Sequence, residues 1–362
     1  MRHSTLDLQA DRIEAVLATH RTPARVTGGV VTPRLIRFSL APLPGVRLRR
    51  LLGLAEEVAL ALDAPACRIA RENGSLALEL PRPDPATVGL FQLAARLARI
   101  PPCAALLGLD DGGTPLLLSL ASPDVAHVLI AGATGSGKTV LARAIVASLA
   151  MYNHLGQVQF ILVDPKGRGF APFAALPHLL CPLLAEPAEI TSRLRWLTEE
   201  MLRRDREGIS APHLVLAIDE LAEAIAVGGS EVVEALTRLT QRGREAGIHV
   251  VAGTQKPSAG LLGPLMKANF PVRLVGSVAS ADDARVAAGL AGTQAERLLG
   301  RGDFILVYRG RCLRFQAAYA GADELAALAG RLRQGGRTSR RWLAPQRAPA
   351  LEPHAEWRRV HS

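Results

Sequence analysis

Nowhere in the 362 residues is there a run of about 18 uncharged apolar side chains, the length a membrane-spanning helix needs. The nearest approach, Ala86 to Leu109, is interrupted by Arg96, Arg99 and Pro101-Pro102. The start, Met1-Arg-His-Ser-Thr5, leads into a polar helix and does not read as a signal peptide. No membrane span is therefore expected, and a cytoplasmic location follows. Cysteine is scarce as well. Cys67, Cys103, Cys181 and Cys312 lie far apart without metal-type spacing, and read as reduced, buried thiols. No internal repeat is found.

Lysine is nearly missing. Of 43 basic residues only four are lysine: Lys138, Lys166, Lys256 and Lys267. Arginine is the default cation, so each lysine asks for an explanation. The net charge of +10 favours polyanionic partners and says nothing about fold. A hydrophobic content of 49% supplies a sizeable core, and the length suits one large or two medium domains.

The sequence is organised around Gly132-Ala133-Thr134-Gly135-Ser136-Gly137-Lys138-Thr139, which fits the phosphate-binding loop pattern of glycine, four residues, then Gly-Lys-Thr. An apolar strand, Ala126–Ala131, precedes it. A helix of small apolar residues from Val140 follows, which is the context the pattern needs. The glycines let backbone N–H groups turn toward a phosphate, and the helix N-terminus adds partial positive charge. Lys138 can reach the β- and γ-phosphates, and the Thr139 hydroxyl can ligate Mg²⁺. Residues 132–139 with Val140 are thus the expected ATP-binding set.

Around this loop the chain divides in three. Residues 1–84 read as a small α+β domain: an amphipathic helix over 6–20, strands at Ala24–Val31 and Arg34–Leu40, helical spacing over Val46–Leu62, and a hairpin about Asn73-Gly74. The stiff Pro81-Arg-Pro-Asp-Pro85 segment ends it. Over residues 85–330, strands at 158–163, 213–218, 249–253 and 272–275 alternate with helices at 140–152, 188–206, 231–246 and 281–290. Such alternation predicts an α/β fold, a parallel sheet covered on both faces. Hairpins about Asp110–Gly113 and Arg309–Arg311 flank it. Residues 331–362 carry eight arginines against two glutamates, three prolines, and Trp342 and Trp357. They are expected to form a disordered basic tail, or an arm with arginines on phosphate and tryptophans on bases.

Leu214-Val-Leu-Ala-Ile-Asp219-Glu220 is an apolar strand ending in two carboxylates about 80 residues past the phosphate loop. Asp219 is placed to hold the Mg²⁺ shell and Glu220 to polarise an attacking water. Alone, the pair could be a helix cap and a first-turn Glu. Gln255, just past the next strand, is placed to sense the γ-phosphate. Asp164, at a third strand end, has no role fixed by sequence.

These residues resemble the motor of the FtsK/SpoIIIE family of DNA translocases. The resemblance is ordered from about residue 8 to 325. Gly28–Leu40, Pro44–Val46 and Leu54–Leu62 are similar to the small β domain ahead of the ATPase fold. His127–Thr139, Val163–Lys166, Pro177–Leu180, Glu200–Arg204, Gly243–His249, Thr254–Ser258, Lys267–Asn269 and Leu298–Asp303 then recur in family order. Lys166, Lys256 and Lys267 fall in these motifs. Departures are the missing membrane region, the missing winged-helix domain, a short segment between Arg204 and Asp219, and Lys256 where the family often has Arg.

The resemblance implies a RecA-like P-loop NTPase with a central, mostly parallel sheet. It further implies a homo-oligomer, a hexameric ring around double-stranded DNA, driven by ATP hydrolysis. Lys138, Glu220 and Gln255 would act at the γ-phosphate, with Arg244 or Arg273 reaching a neighbouring subunit's site. Lys256 and Lys267 bound the expected DNA-contacting loop. An unidentified protein would supply any anchoring or loading. A protein-secretion ATPase of the same motor family, or a nucleotide-switched DNA-binding protein, stays open beside the translocase.

Overall fold

Leu6, Ala10, Ile13 and Leu17 recur at helical spacing, and in the computed structural model they form the buried face of a helix, His3–Thr19 (α1). The structure describes residues 3–72, 74–83, 85–97, 99–255, 269–335 and 355–358. They fall into two units, residues 1–87 with 111–113 and 348–362, and residues 88–110 with 114–347.

In the first unit, burial alternates along Ala24–Val31 (β1), which pairs antiparallel with Leu35–Pro42 (β2). The stretch with helical spacing over 46–62 is two short helices, Leu48–Leu52 (α2) and Ala55–Ala61 (α3). Gly53 ends the first, and Leu54, turned into the core, starts the second. Arg68–Glu72 (β3) and Ser75–Pro81 (β4) make the expected hairpin, although Asn73 itself lies outside the described residues. A fifth strand, Ala355–Arg358, pairs antiparallel with β1, Trp357 standing opposite Gly29. At these four residues the expectation of a tail without structure does not hold, and residues 336–354 and 359–362 lie outside the described residues. Four residues amid proline and arginine carry almost no strand signal, and pairing to the open edge of β1 supplies what the sequence does not.

The second unit contains Leu90–Arg96 (α4), Ala104–Asp110 (β5), Pro115–Ser119 (β6), Val128–Ala131 (β7), Lys138–Tyr152 (α5) and Val158–Val163 (β8). Pro187–Glu207 (α6), His213–Ile218 (β9), Leu221–Arg242 (α7), Ile248–Thr254 (β10) and Val272–Val275 (β11) follow. Ala281–Ala288 (α8), Asp303–Tyr308 (β12), Arg311–Ala317 (β13) and Ala322–Arg333 (α9) complete it. Its nine strands run in the order β6-β5-β13-β12-β11-β7-β10-β9-β8. The five from β11 to β8 are parallel, and the other four extend the sheet antiparallel. Unbroken apolar runs such as Phe160–Val163 and Leu214–Ile218 are buried on both faces, as a covered parallel sheet requires. α4, α5 and α9 share one core with the sheet, and α6 and α7 share another. Phe304 and Phe315 stack across β12 and β13 at 5.8 Å, a pair worth about 1 kcal/mol beyond its buried area.

One helix and the cysteines also depart from the sequence reading. The helix expected over 231–246 begins at Leu221, breaks at Gly229 (φ 58°) and ends at Gly243. Gly228-Gly229 disguises its first turns, and 244–247 are the turn into β10. Of the cysteines only Cys103 is buried. Cys67 and Cys181 are half-buried, and Cys312 is exposed on β13, where the hairpin faces solvent. Among the described residues no helix is long and apolar enough to cross a membrane.

Candidate nucleotide-binding site

In chain order the parallel strands are first β7, then β8, β9, β10 and β11, yet in space β7 lies between β10 and β11. The strand order therefore reverses at β7. Ligands of open α/β sheets bind at the carboxyl ends of strands, where such a reversal opens a crevice. Residues 132–137 leave β7 at that edge and enter α5.

Gly137 holds φ 102°, and a Cβ there would lie 2.8 Å from the Gly302 nitrogen, so only glycine fits. The loop is buttressed from a distant segment. Arg301 and Gly302 donate backbone N–H bonds to the carbonyls of Gly135 (2.9 Å) and Ser136 (2.8 Å), while Ala133 N–H donates to Ser277 (2.7 Å). With those carbonyls engaged, the N–H groups of Gly135 and Gly137 face no acceptor among the described residues. They are the open donors a phosphate would take. The Leu298–Asp303 motif thus has a mechanical role that the sequence did not disclose.

Lys138 is buried, and its Nζ donates to the carbonyls of Gly132 (2.8 Å) and Ala133 (2.9 Å). Burial pulls its pKa below the usual lysine range, while Glu220 and Asp219 oppose the shift. Thr139 Oγ1 donates to Asp219 Oδ1 at 2.7 Å. Asp219 is pushed above the ordinary carboxyl range, first by burial and then by the nearby Asp164, while the Thr139 bond works the other way. Glu220, buried, caps α7 and accepts the Gln255 backbone N–H at 3.2 Å. Gln255 Oε1 accepts from Thr134 Oγ1 at 3.0 Å, tying the sensor position to the phosphate loop.

Between β7 and β9 stands β10, so Asp219 must reach across it. Gly253 allows this, since a Cβ there would sit 2.3 Å from the Asp219 carbonyl oxygen. Gly169 does the same from the other side, where a Cβ would fall 2.6 Å from the Asp219 carboxylate. Asp164 holds Phe170 N–H with Oδ2 at 2.9 Å, while its buried Oδ1 has no partner. Thr139, Asp219 and Asp164 present only oxygen, the ligand class Mg²⁺ takes, and an orphaned carboxylate oxygen beside them fits a hard cation. Arg143 braces the same corner through the carbonyls of Arg168 and Gly169 and draws the Asp219 pKa down. It sits within α5, where nothing in the sequence marks it.

Lys138, Thr139, Asp219, Glu220 and Gln255 are therefore brought together. Arg244 and Arg273 are not in that group. Arg244 is exposed in the turn before β10, at the amino ends of the strands, and donates to the Pro123 carbonyl. The Arg273 guanidinium lies against the end of α8, 3.3 Å from the Ala287 carbonyl. Lys256 and Lys267 lie outside the described residues.

Two sequence models match. One, the FtsK/SpoIIIE family, covers residues 98–211; the other, the FtsK alpha domain, covers residues 1–82, the region likened above to the family's small β domain. DNA translocase SftA of Bacillus subtilis is 34% identical over 84% of this chain and 34% of its own length. DNA translocase FtsK of Sporosarcina ureae is 31% identical over 98% of this chain and 49% of its own. The chain thus spans between a third and a half of these two relatives. Among solved structures, the pCW3 conjugation coupling protein TcpA with ATPγS superposes over 90% of this chain with TM-score 0.61 at 17% identity. The cytoplasmic domain of the type VII secretion ATPase EccC from Thermomonospora curvata covers 72% with TM-score 0.59 at 24%. Both likenesses speak for the fold, a RecA-like P-loop one. With both sequence models matched and the phosphate loop, Asp219 and Glu220 assembled at one sheet edge, the chain belongs to the FtsK/SpoIIIE family.

Proposed function

We propose that the chain is an ATP-hydrolysing motor that moves double-stranded DNA, working in the cytoplasm as a ring of six identical subunits. The observation that carries the reading is the convergence of Lys138, Thr139, Asp219 and Glu220 on one sheet edge beside open backbone donors. A nucleotide-switched binding protein needs the cradle but not a buried carboxylate beside it. When bound, ATP supplies the phosphoryl group and Mg²⁺ the charge that neutralises its oxygens. The chain's residues do the rest. Gly135 and Gly137 N–H groups take phosphate oxygens, and Lys138 exchanges its two loop carbonyls for them. Thr139 and Asp219 hold the cation. Glu220 accepts the proton of the attacking water. Gln255, bonded to the loop through Thr134, passes the occupancy of the γ-phosphate position to the segment that follows it, which holds Lys256 and Lys267.

Residues 85–330 would be the motor domain and residues 1–84 an accessory α+β domain. Charge developing in the transition state needs a cation from the next subunit. Arg244 takes that part, since it is exposed while Arg273 is engaged with α8 of its own chain. Contacts to DNA backbone by Lys256 and Lys267 carry no sequence preference, as stepping along any duplex requires. The test is displacement of a third strand from a triplex on linear duplex DNA. ATP-dependent displacement is expected, and its absence with intact ATP hydrolysis would overturn the translocase reading.

A further inference from the structure

Three metal-binding donors that the nucleotide site does not use meet at the opposite end of the parallel strands. Cys103 precedes β5, His213 opens β9 and His249 is the second residue of β10. The cysteine sulfur and one nitrogen from each imidazole lie within 4.8 Å of one another. His213 Nδ1 and His249 Nε2 are 3.0 Å apart. Cys103 and His249 are buried and His213 is half-buried.

The donors are held from behind. His249 Nδ1 lies 3.0 Å from the Ala126 carbonyl, so that nitrogen carries the hydrogen and Nε2 presents its lone pair to the cluster. A carbonyl in this position is the usual outer partner of a metal-ligating histidine. Cys103 N–H donates to Asn153 Oδ1 at 2.9 Å, and its carbonyl accepts from Leu120. Two supports sit in left-handed backbone that side chains other than glycine rarely adopt, Cys103 at φ 53° and Ala126 at φ 39°. Such strain persists only where the surroundings over-determine it, and it gathers at binding sites.

A plain N–H···N bond would account for the two histidines. It gives no reason for the sulfur being brought to them on a strained backbone. We propose that Cys103, His213 and His249 form a binding site for a borderline-soft divalent ion, Zn²⁺ being the best match to one thiolate and two imidazoles. Tetrahedral bonds of roughly 2.0–2.3 Å put neighbouring donor atoms roughly 3.3–3.8 Å apart, so the observed cluster closes on an ion with small shifts. Three protein donors leave a fourth position for water, and the half-exposed His213 gives the ion a way in. The phosphate loop is at the other edge of the sheet, so the ion's work is structural. It ties the segment entering β5 to the starts of β9 and β10, and binding free energy becomes folding free energy. Sequence spacing could not find this set, because more than a hundred residues separate Cys103 from His213.

The test uses the full chain, purified without a polyhistidine tag, titrated with Zn²⁺ and separately with Co²⁺. About one equivalent should bind, and Co²⁺ should give a thiolate charge-transfer band together with intense tetrahedral d–d bands. Cys103→Ser should remove the charge-transfer band and weaken Zn²⁺ binding at least roughly tenfold. Zn²⁺ should raise Tm in the wild type and not in this variant. If Cys103→Ser fails to fold, His213→Gln carries the same comparison. Less than about a tenth of an equivalent bound by the wild type, a charge-transfer band kept in Cys103→Ser, or Zn²⁺ affinity and Tm shift unchanged in His213→Gln overturns the proposal.

Discussion

The Thr139 hydroxyl donates to Asp219 Oδ1 at 2.7 Å, joining the helix that follows the phosphate loop to a strand end 80 positions later. A shared place as cation ligands requires that they meet, and they do so across the intervening β10. Burial and Asp164 hold the Asp219 pKa above the ordinary carboxyl range. A raised carboxyl pKa favours the protonated form in the fold. Its contribution to apo stability is therefore full below the ordinary value and is lost as pH rises through the raised one. Asp219→Asn should raise the Tm of the nucleotide-free protein at neutral pH. The same variant should lose the Mg²⁺ dependence of nucleotide binding. In the wild type, that Mg²⁺ dependence should weaken as pH falls through the raised pKa.

Glu220 accepts the Gln255 backbone N–H and is buried beside the loop. Glu220→Gln keeps the shape and the hydrogen bond but cannot take a proton. ATP affinity should stay within about threefold of wild type, and turnover should fall by roughly 10²–10⁴. Turnover near wild type would remove Glu220 from the role of base.

Arg204, buried, donates to Glu200 and to the carbonyls of Pro212 and Ala246, which precede β9 and β10. Hydrogen bonds from Arg203 first, then from Arg204, pull the Glu200 pKa down to about 2. Arg204→Ala leaves two carbonyls without their donor and Glu200 with Arg203 as its remaining partner, and should cost about 2 kcal/mol or more in denaturant unfolding. Because the Glu200 pKa is depressed, its contribution is present above the ordinary glutamate value and lost as pH falls toward 2. The wild-type advantage over Arg204→Ala should shrink over that acid range.

Residues 336–362 carry six arginines, at 337, 340, 341, 347, 358 and 359. If they lie on phosphate, deleting them should flatten the salt dependence of duplex binding by up to about five in log–log slope. An unchanged slope would leave strand pairing to β1 as their only role.

The parts of the site legible in sequence were those fixed by local chemistry. Gly132 to Thr139 announced itself because a phosphate loop needs glycines and a Lys-Thr pair at set spacing. Asp219 and Glu220 were legible because an unbroken apolar strand ended in them. Gly169, Gly253, Arg143 and the Arg301–Gly302 buttress were not, since each acts on a residue far away in sequence. α9 was missed where apolar and charged residues merge into an arginine-rich region, and the strand at 355–358 because its partner, β1, is more than 300 residues away. Asp164 was visible at a strand end, but its orphaned oxygen appears only in three dimensions.

The central claim is that ATP turnover at this site is coupled to duplex DNA. Steady-state ATP hydrolysis by the purified chain, with and without linear duplex DNA at moderate salt, tests it most directly. Hydrolysis should rise at least about tenfold with DNA and vanish in Lys138→Ala. Hydrolysis that is indifferent to DNA, or that survives in Lys138→Ala, would contradict the account.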